Sequence, residues 1–194
     1  MNEARITRVA GAIAEAQPLR EAALYELVEV GERQLLGEVI RLRGEVATIQ
    51  VFEETTGLSL GEPVKRTGKS LTTRLGPGLL GSILDGVGRP LQALADRTGN
   101  FITPGATLPT LDPEAQWSFE ASVEAGAKVE SGDVIGTIEE RPGMVHRVLV
   151  PPGRCGRIAK IESGNFNVTD PVATLDDGST LSLSHPWTIR ERRP

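Results

Sequence analysis

The sequence predicts a mainly β chain in three parts: a small closed barrel over residues 1–70, a connector with short helices over 71–112, and a second β domain over 113–194. Three observations carry this. Apolar and polar residues alternate with period two in several short runs, as half-buried strands require. Glycine and proline are plentiful, 22 and 13, while aromatic residues make up only 4%, which suits short strands joined by tight turns. Helical spacing is confined to residues 76–99.

In the first part, Ile40 and Leu42 alternate with Arg41 and Arg43, and Ala47, Ile49 and Val51 alternate with Thr48 and Gln50. The break at Gly44 makes this a hairpin with one buried face. Gly57 and the cluster Gly61-Glu62-Pro63 mark the following turns. Several strands within about sixty residues favour a closed barrel, which removes exposed edges. Residues 75–91 follow, rich in glycine; Leu79, Leu80, Ile83 and Leu84 recur at helical spacing and predict a short apolar helix between turns. A second helix is expected from Pro90, suited to a first helical position, to Gly99, suited to the position after the last turn. Residues 103–113 read as an irregular connector.

The third part predicts strands at 134–138, 145–150, 157–161 and 172–175, and Asp177-Gly178 is the clearest hairpin signal in the chain. Trp117 and Phe119 would share one strand face and pack in a core. Gly126, Gly132, Gly136, Gly156 and Gly164 recur between short apolar pairs. That spacing resembles the barrel-sandwich hybrid of lipoyl and biotinyl carrier domains.

The net charge of −5 argues against a general nucleic-acid binder. The basic ending 190–193 reads as a solvated terminus or a severed connection. The single cysteine, Cys155, excludes an intramolecular disulfide and points to a reducing compartment. Arg154 and Arg157 flank it, but the expectation is a small, semi-buried side chain. No apolar run is long enough to span a bilayer, and the N-terminus lacks the apolar stretch of a signal peptide.

The segments 37–57 and 61–64 resemble the N-terminal β-barrel, six-stranded in type, of rotary ATPase head subunits. The continuation 75–91, with Asp85-Gly86-Val87-Gly88-Arg89-Pro90-Leu91, is similar to the catalytic A subunit of V-type and archaeal-type ATPases. Neither the F-type β subunit nor the non-catalytic B subunit reads the same there. The likeness continues through Trp117, His146 and Val150-Pro151-Pro152 to Pro186-Trp187 and 192–194. Trp187-Thr188-Ile189-Arg190 departs from the family's usual Trp-Pro-Val-Arg, and residues 12–24 match loosely. The resemblance implies that the third part is a bulge on the outside of the head. It also implies that the intact subunit hydrolyses or makes ATP with magnesium, coupled to proton or sodium-ion transport. Barrels of alternating A and B subunits would pack in a ring, with the edges of 37–56 forming contacts. The bulge would meet peripheral-stalk subunits or shape the outer surface, and the complex would sit on the cytoplasmic side, touching the membrane only through the ion-translocating sector. On this reading the chain is a segment cut from a longer protein, ending where the nucleotide domain would begin.

No catalytic, cofactor-binding or metal-binding residue is assigned. Thr67-Gly68-Lys69-Ser70 ends like a phosphate-binding loop, but the pattern needs glycine where Pro63 stands, and proline has no N–H for a phosphate. Gly61 comes two residues too early, and the stretch after Ser70 reads as a strand. The chain alone is therefore expected to be neither an ATPase nor a tight ATP binder, and to hold no cofactor. The carrier-like hairpin tip at 139–144 has no lysine to modify; Lys128 and Lys160 lie in strand-like segments. His146 and His185 are expected at the surface or as caps, too isolated in sequence for zinc. The adjacent carboxylates Glu53-Glu54, Glu139-Glu140 and Asp176-Asp177 would point to opposite strand faces or sit solvated in turns. The alternatives are a free-standing interaction module and a lipoyl- or biotinyl-carrier-like domain.

Overall fold

The computed structural model describes residues 3–99 and 102–190. By compactness it divides into two units, one within Met1–Thr72 and Ala93–Leu108, the other within Thr73–Gln92 and Pro109–Pro194. The stretch 71–112 is thus shared between both units.

The first unit is built on strands β1 (Ala4–Ala10), β2 (Ile13–Gln17), β3 (Glu26–Val30), β4 (Leu35–Arg43), β5 (Val46–Val51) and β6 (Pro63–Ser70). They close into a barrel in the order β1-β2-β5-β4-β3-β6. Inward residues alternate along β3 as Glu26, Val28 and Val30 and along β5 as Ala47, Ile49 and Val51. Ile6, Ala16, Val28, Leu35, Val39 and Ile49 meet in one buried core. Each large aliphatic side chain buried there contributes about 1.5–3 kcal/mol.

The β4–β5 hairpin forms as expected, with one refinement. Its register shifts between the pairs Val39↔Ile49 and Arg41↔Thr48, a bulge that reverses the phase of the strand. Val39 and Leu42 both face inward as a result, while Ile40 sits at the bulge and is 36% exposed. The expectation that 37–56 presents strand edges is corrected as well. β4 is paired with β3 and β5, and β5 with β2, so barrel closure leaves no open edge on either.

Strand β7 (Thr72–Leu75) and helix α1 (Leu91–Thr98) come next. Pro90 immediately precedes the helix, and the Gly99 N–H donates to the Ala95 carbonyl at 2.8 Å, closing its last turn. The apolar helix expected from Leu79 to Leu84 does not form: residues 76–90 are turns with one isolated bridge, Leu84↔Pro90. Gly78 and Gly81 have φ of +99° and +83°, a left-handed backbone that a right-handed helix cannot continue through. Two of the residues in that apolar pattern, Leu80 and Ile83, are exposed.

The second unit contains β8 (Gln116–Ala121), β9 (Lys128–Val129), β10 (Val134–Arg141), β11 (Met144–Leu149), β12 (Gly156–Ile161), β13 (Gly164–Asn167), β14 (Pro171–Leu175), β15 (Thr180–Ser182) and β16 (His185–Thr188). Two four-stranded sheets, β11-β10-β8-β13 and β15-β14-β12-β9, share one core, and β16 pairs with β7. Phe119, Ile138 and Val148 come from the first sheet and Ile158, Leu175 and Leu181 from the second. Phe119 is buried in this core and Trp117, partly buried, packs against the same cluster. The Asp177-Gly178 turn joins β14 to β15, with Thr174 paired to Thr180. Of the basic ending only Arg190 is described; 191–194 lie outside the described residues.

Candidate functional site

The segment most like a nucleotide-binding sequence is held inside the barrel wall. Thr67 to Ser70 belong to β6, and between the pairs Glu26↔Ser70 and Val28↔Arg66 that strand bulges around Gly68, whose φ is +69°. The Gly68 N–H donates to Glu26 Oε1 at 3.0 Å. Glu26 is itself caged: Arg66 donates to its two oxygens at 2.9 and 3.1 Å, and the Ala23 N–H to Oε2 at 2.9 Å. Its side chain is 2% exposed. Burial would raise its pKa, but the bonds from Arg66, Ala23 and Gly68 outweigh that and hold it below the ordinary value. A carboxylate therefore occupies the amide that a phosphate would need. This acid was missed in the sequence because Arg66 and Gly68 lie 40 and 42 residues away.

The loop 76–90 in the second unit is organised by another carboxylate. Asp85 Oδ1 accepts the N–H groups of Val87 and Arg89 at 3.0 and 2.9 Å, and Oδ2 accepts Arg89 Nε–H at 2.7 Å. Burial raises its pKa, the bonds from Arg89 and Val87 lower it, and the balance is downward. Farther back, Glu140 Oε1 accepts the Gly78 N–H at 2.7 Å and Arg141 Nη2 donates to the Leu80 carbonyl at 2.9 Å. The glycine-rich motif is thus a folded loop pinned by acids and arginines.

The two histidines come together although 39 positions separate them. His146 and His185 line one cavity of about 210 Å³ with Glu140, Leu79 and Leu183. His185 is buried at 8% exposure, so of its two expected places, the surface or a cap, the surface is ruled out. His146 Nδ1 lies 3.8 Å from Glu140 Oε2, too long for a hydrogen bond. No group of three metal-ligating side chains occurs among the described residues. The hairpin tip between β10 and β11 is Pro142-Gly143, with no lysine; Lys128 and Lys160 lie in β9 and β12. Cys155 is exposed, not semi-buried, because it sits in the open loop before β12.

The other acidic pairs serve local structure. Glu53 accepts the Leu36 and Gly105 N–H groups, Glu54 caps Thr56, and Asp177 accepts the Ser179 N–H. Among the described residues no helix is long and apolar enough to cross a membrane.

Comparison with known proteins accounts for both units. A family model described as "ATP synthase alpha/beta family, beta-barrel domain" matches residues 6–68, and one described as "ATPsynthase alpha/beta subunit barrel-sandwich domain" matches 108–190. The chain is 48% identical over 189 residues to the V-type ATP synthase alpha chain of Anaeromyxobacter dehalogenans (strain 2CP-C), covering 97% of this chain and 33% of that protein. Identity is 47% to an A-type ATP synthase A subunit of Methanospirillum hungatei JF-1, covering 97% and 32%. It is 41% to the V-type ATP synthase alpha chain of Thermoanaerobacter sp. (strain X514), covering 100% and 34%. The chain therefore spans about a third of the length of these curated relatives. Among solved structures, the ATPase EscN of the enteropathogenic E. coli type III secretion system has a TM-score of 0.43 and 29% identity, over 55% of this chain and 24% of that one. With the barrel and the sandwich each matched by a model of one family, and the same kind of relative aligned across nearly the whole chain, this chain belongs to the ATP synthase alpha/beta family, corresponding to the N-terminal region of V/A-type A subunits.

Proposed function

We propose that this chain is the structural and assembly region of the catalytic A subunit of a V/A-type, ion-translocating ATPase, and that it does no chemistry itself. Its barrel would pack beside B-subunit barrels in an alternating ring, using outward side chains since β4 and β5 have no open edge. The bulge-like sandwich would face peripheral-stalk subunits. The assembly would lie on the cytoplasmic side and reach the membrane through its ion-translocating sector. Magnesium-ATP would be handled elsewhere in the intact protein.

The observation that carries the non-catalytic part is the Gly68–Glu26 bond at 3.0 Å. Phosphoryl transfer needs preorganised positive charge and free N–H groups around the β- and γ-phosphates. Here the only glycine-lysine-serine segment has its amide turned onto a buried carboxylate. Calorimetric titration of this chain with magnesium-ATP is expected to give no saturable heat at micromolar concentrations, and micromolar binding would overturn the reading. For the assembly role, a B-subunit N-terminal barrel is expected to be retained by this immobilised chain; no retention at high concentration would count against it.

A further inference from the structure

A second cavity of the sandwich unit, about 350 Å³, has a lining unlike the rest of this acidic chain. Arg74, Arg154, Thr180, Ser184, Trp187 and Thr188 are among the residues around it, and no aspartate or glutamate among the described residues is. For a chain of net charge −5, two guanidinium groups on a wall with no carboxylate among the described residues are a local reversal of sign. We propose that this cavity is a binding site for a small phosphomonoester, a ligand with a dianionic phosphate head and an apolar or aromatic body. The proposal is independent of the assembly role above.

The arginines are arranged for this. Arg74 on β7 donates through Nε to Ser184 Oγ at 2.8 Å. Ser184 is buried at 2% exposure and its hydroxyl donates to the Val168 carbonyl at 2.6 Å. The serine thus fixes the plane of the guanidinium and leaves its two Nη groups with no acceptor among the described residues. Arg154, in the loop between β11 and β12, has no hydrogen bond or ion pair from its guanidinium among the described residues; the nearby Asp177 feels its charge but is bonded to Ser179. A planar guanidinium whose two Nη groups are free presents one fork of N–H donors that matches the oxygens of a phosphate, and charge-assisted bonds of this kind are the strong ones. The hydroxyls of Thr180 and Thr188 supply further donors on the same wall. Pro151, Pro152, Pro186 and the Trp187 indole form an apolar side suited to an organic body. Arg74 and Ser184 are 110 positions apart, so sequence spacing carries no trace of the site.

The test is an NMR titration of this chain with phenyl phosphate, inorganic phosphate and benzyl alcohol, at constant ionic strength in chloride. Saturable shifts of the Trp187 indole and of the Thr180 and Ser182 amides are expected with both phosphates and not with the alcohol. Arg154→Gln is expected to weaken binding about tenfold, the scale of one lost charge-assisted bond, while Lys65→Gln, which removes a charge in the barrel, leaves it unchanged. Arg74→Gln should weaken binding as much, but it also disturbs Ser184. Arg154→Gln touches no internal bond and keeps the test valid if that variant misfolds. Tighter binding of phenyl phosphate than of inorganic phosphate supports a phosphomonoester; equal affinity would overturn the assignment of an organic body. Shifts that rise without saturation, or an Arg154→Gln variant that binds like the parent chain, would overturn the proposal.

Discussion

Replacing Glu26 with glutamine tests whether the barrel depends on its buried carboxylate. The side chain accepts bonds from Arg66 Nε and Nη2 and from the Ala23 and Gly68 N–H groups. Glutamine keeps the shape but turns one oxygen into a donor, so whichever way the amide lies, two of these donors face an N–H group. Bonds to a charged acceptor contribute about 1.5–3 kcal/mol each. Arg66 is 34% exposed on its side chain and recovers part of its loss from water. The expected destabilisation is about 3 kcal/mol at pH 7, a large share of a domain stability of about 5–15 kcal/mol. Hydrogen exchange of the barrel amides measures it, since the opening free energy of β3 and β6 reports this unit directly. The pH dependence has a definite sign. The Glu26 pKa is lowered on folding from its ordinary 4.5, so its stabilisation is complete above that value and is lost as pH falls through the folded-state value. The gap between parent and variant should therefore be constant from pH 6 to 8 and close in acid. A cost below about 1 kcal/mol, the size of an exposed ion pair, would refute the argument that this cage holds the barrel seam.

Two further changes probe the sandwich unit. Gly136→Ala would drive a methyl group into the Phe119 ring and to 2.5 Å from the Glu120 carbonyl oxygen; the loss should be about 2–4 kcal/mol by urea unfolding, near the upper end for overpacking, and a variant within 0.5 kcal/mol of the parent by that urea measurement (roughly the scale of surface substitutions) would show that β8 and β10 yield there. Asp85→Asn keeps one carbonyl acceptor but loses the charge that holds Arg89 and the Val87 N–H, so residues 83–91 should exchange amide hydrogens about tenfold faster or more. That carboxylate's pKa is lowered from 3.8, so its contribution is present above that value and fades as pH falls through the folded one.

Much of the fold was legible because it rests on local rules. Period-two alternation marks β4 and β5, short apolar stretches between glycines mark β10, β11, β12 and β14, and Asp177-Gly178 marks a turn with two residues. The failures share one cause. Residues 79–84 have helical apolar spacing, but the left-handed turns at Gly78 and Gly81 and the acid cage of Asp85 override it. The bulge at Ile40 is a matter of register with β5, which no single strand encodes. Cys155 was misplaced because exposure is a property of what packs around a residue.

Contiguous residues are enough for the family and the mainly β class: motif spacing carries the first and alternation the second. Tertiary structure alone decided that Glu26 occupies the Gly68 amide, that His146 and His185 share a cavity, and that Arg74 is aligned by Ser184. The physical reason is range. Turn and strand preferences act over a few residues, whereas hydrogen bonds and burial join groups that the closed barrel and the two-sheet core bring together from 40 to 110 positions apart.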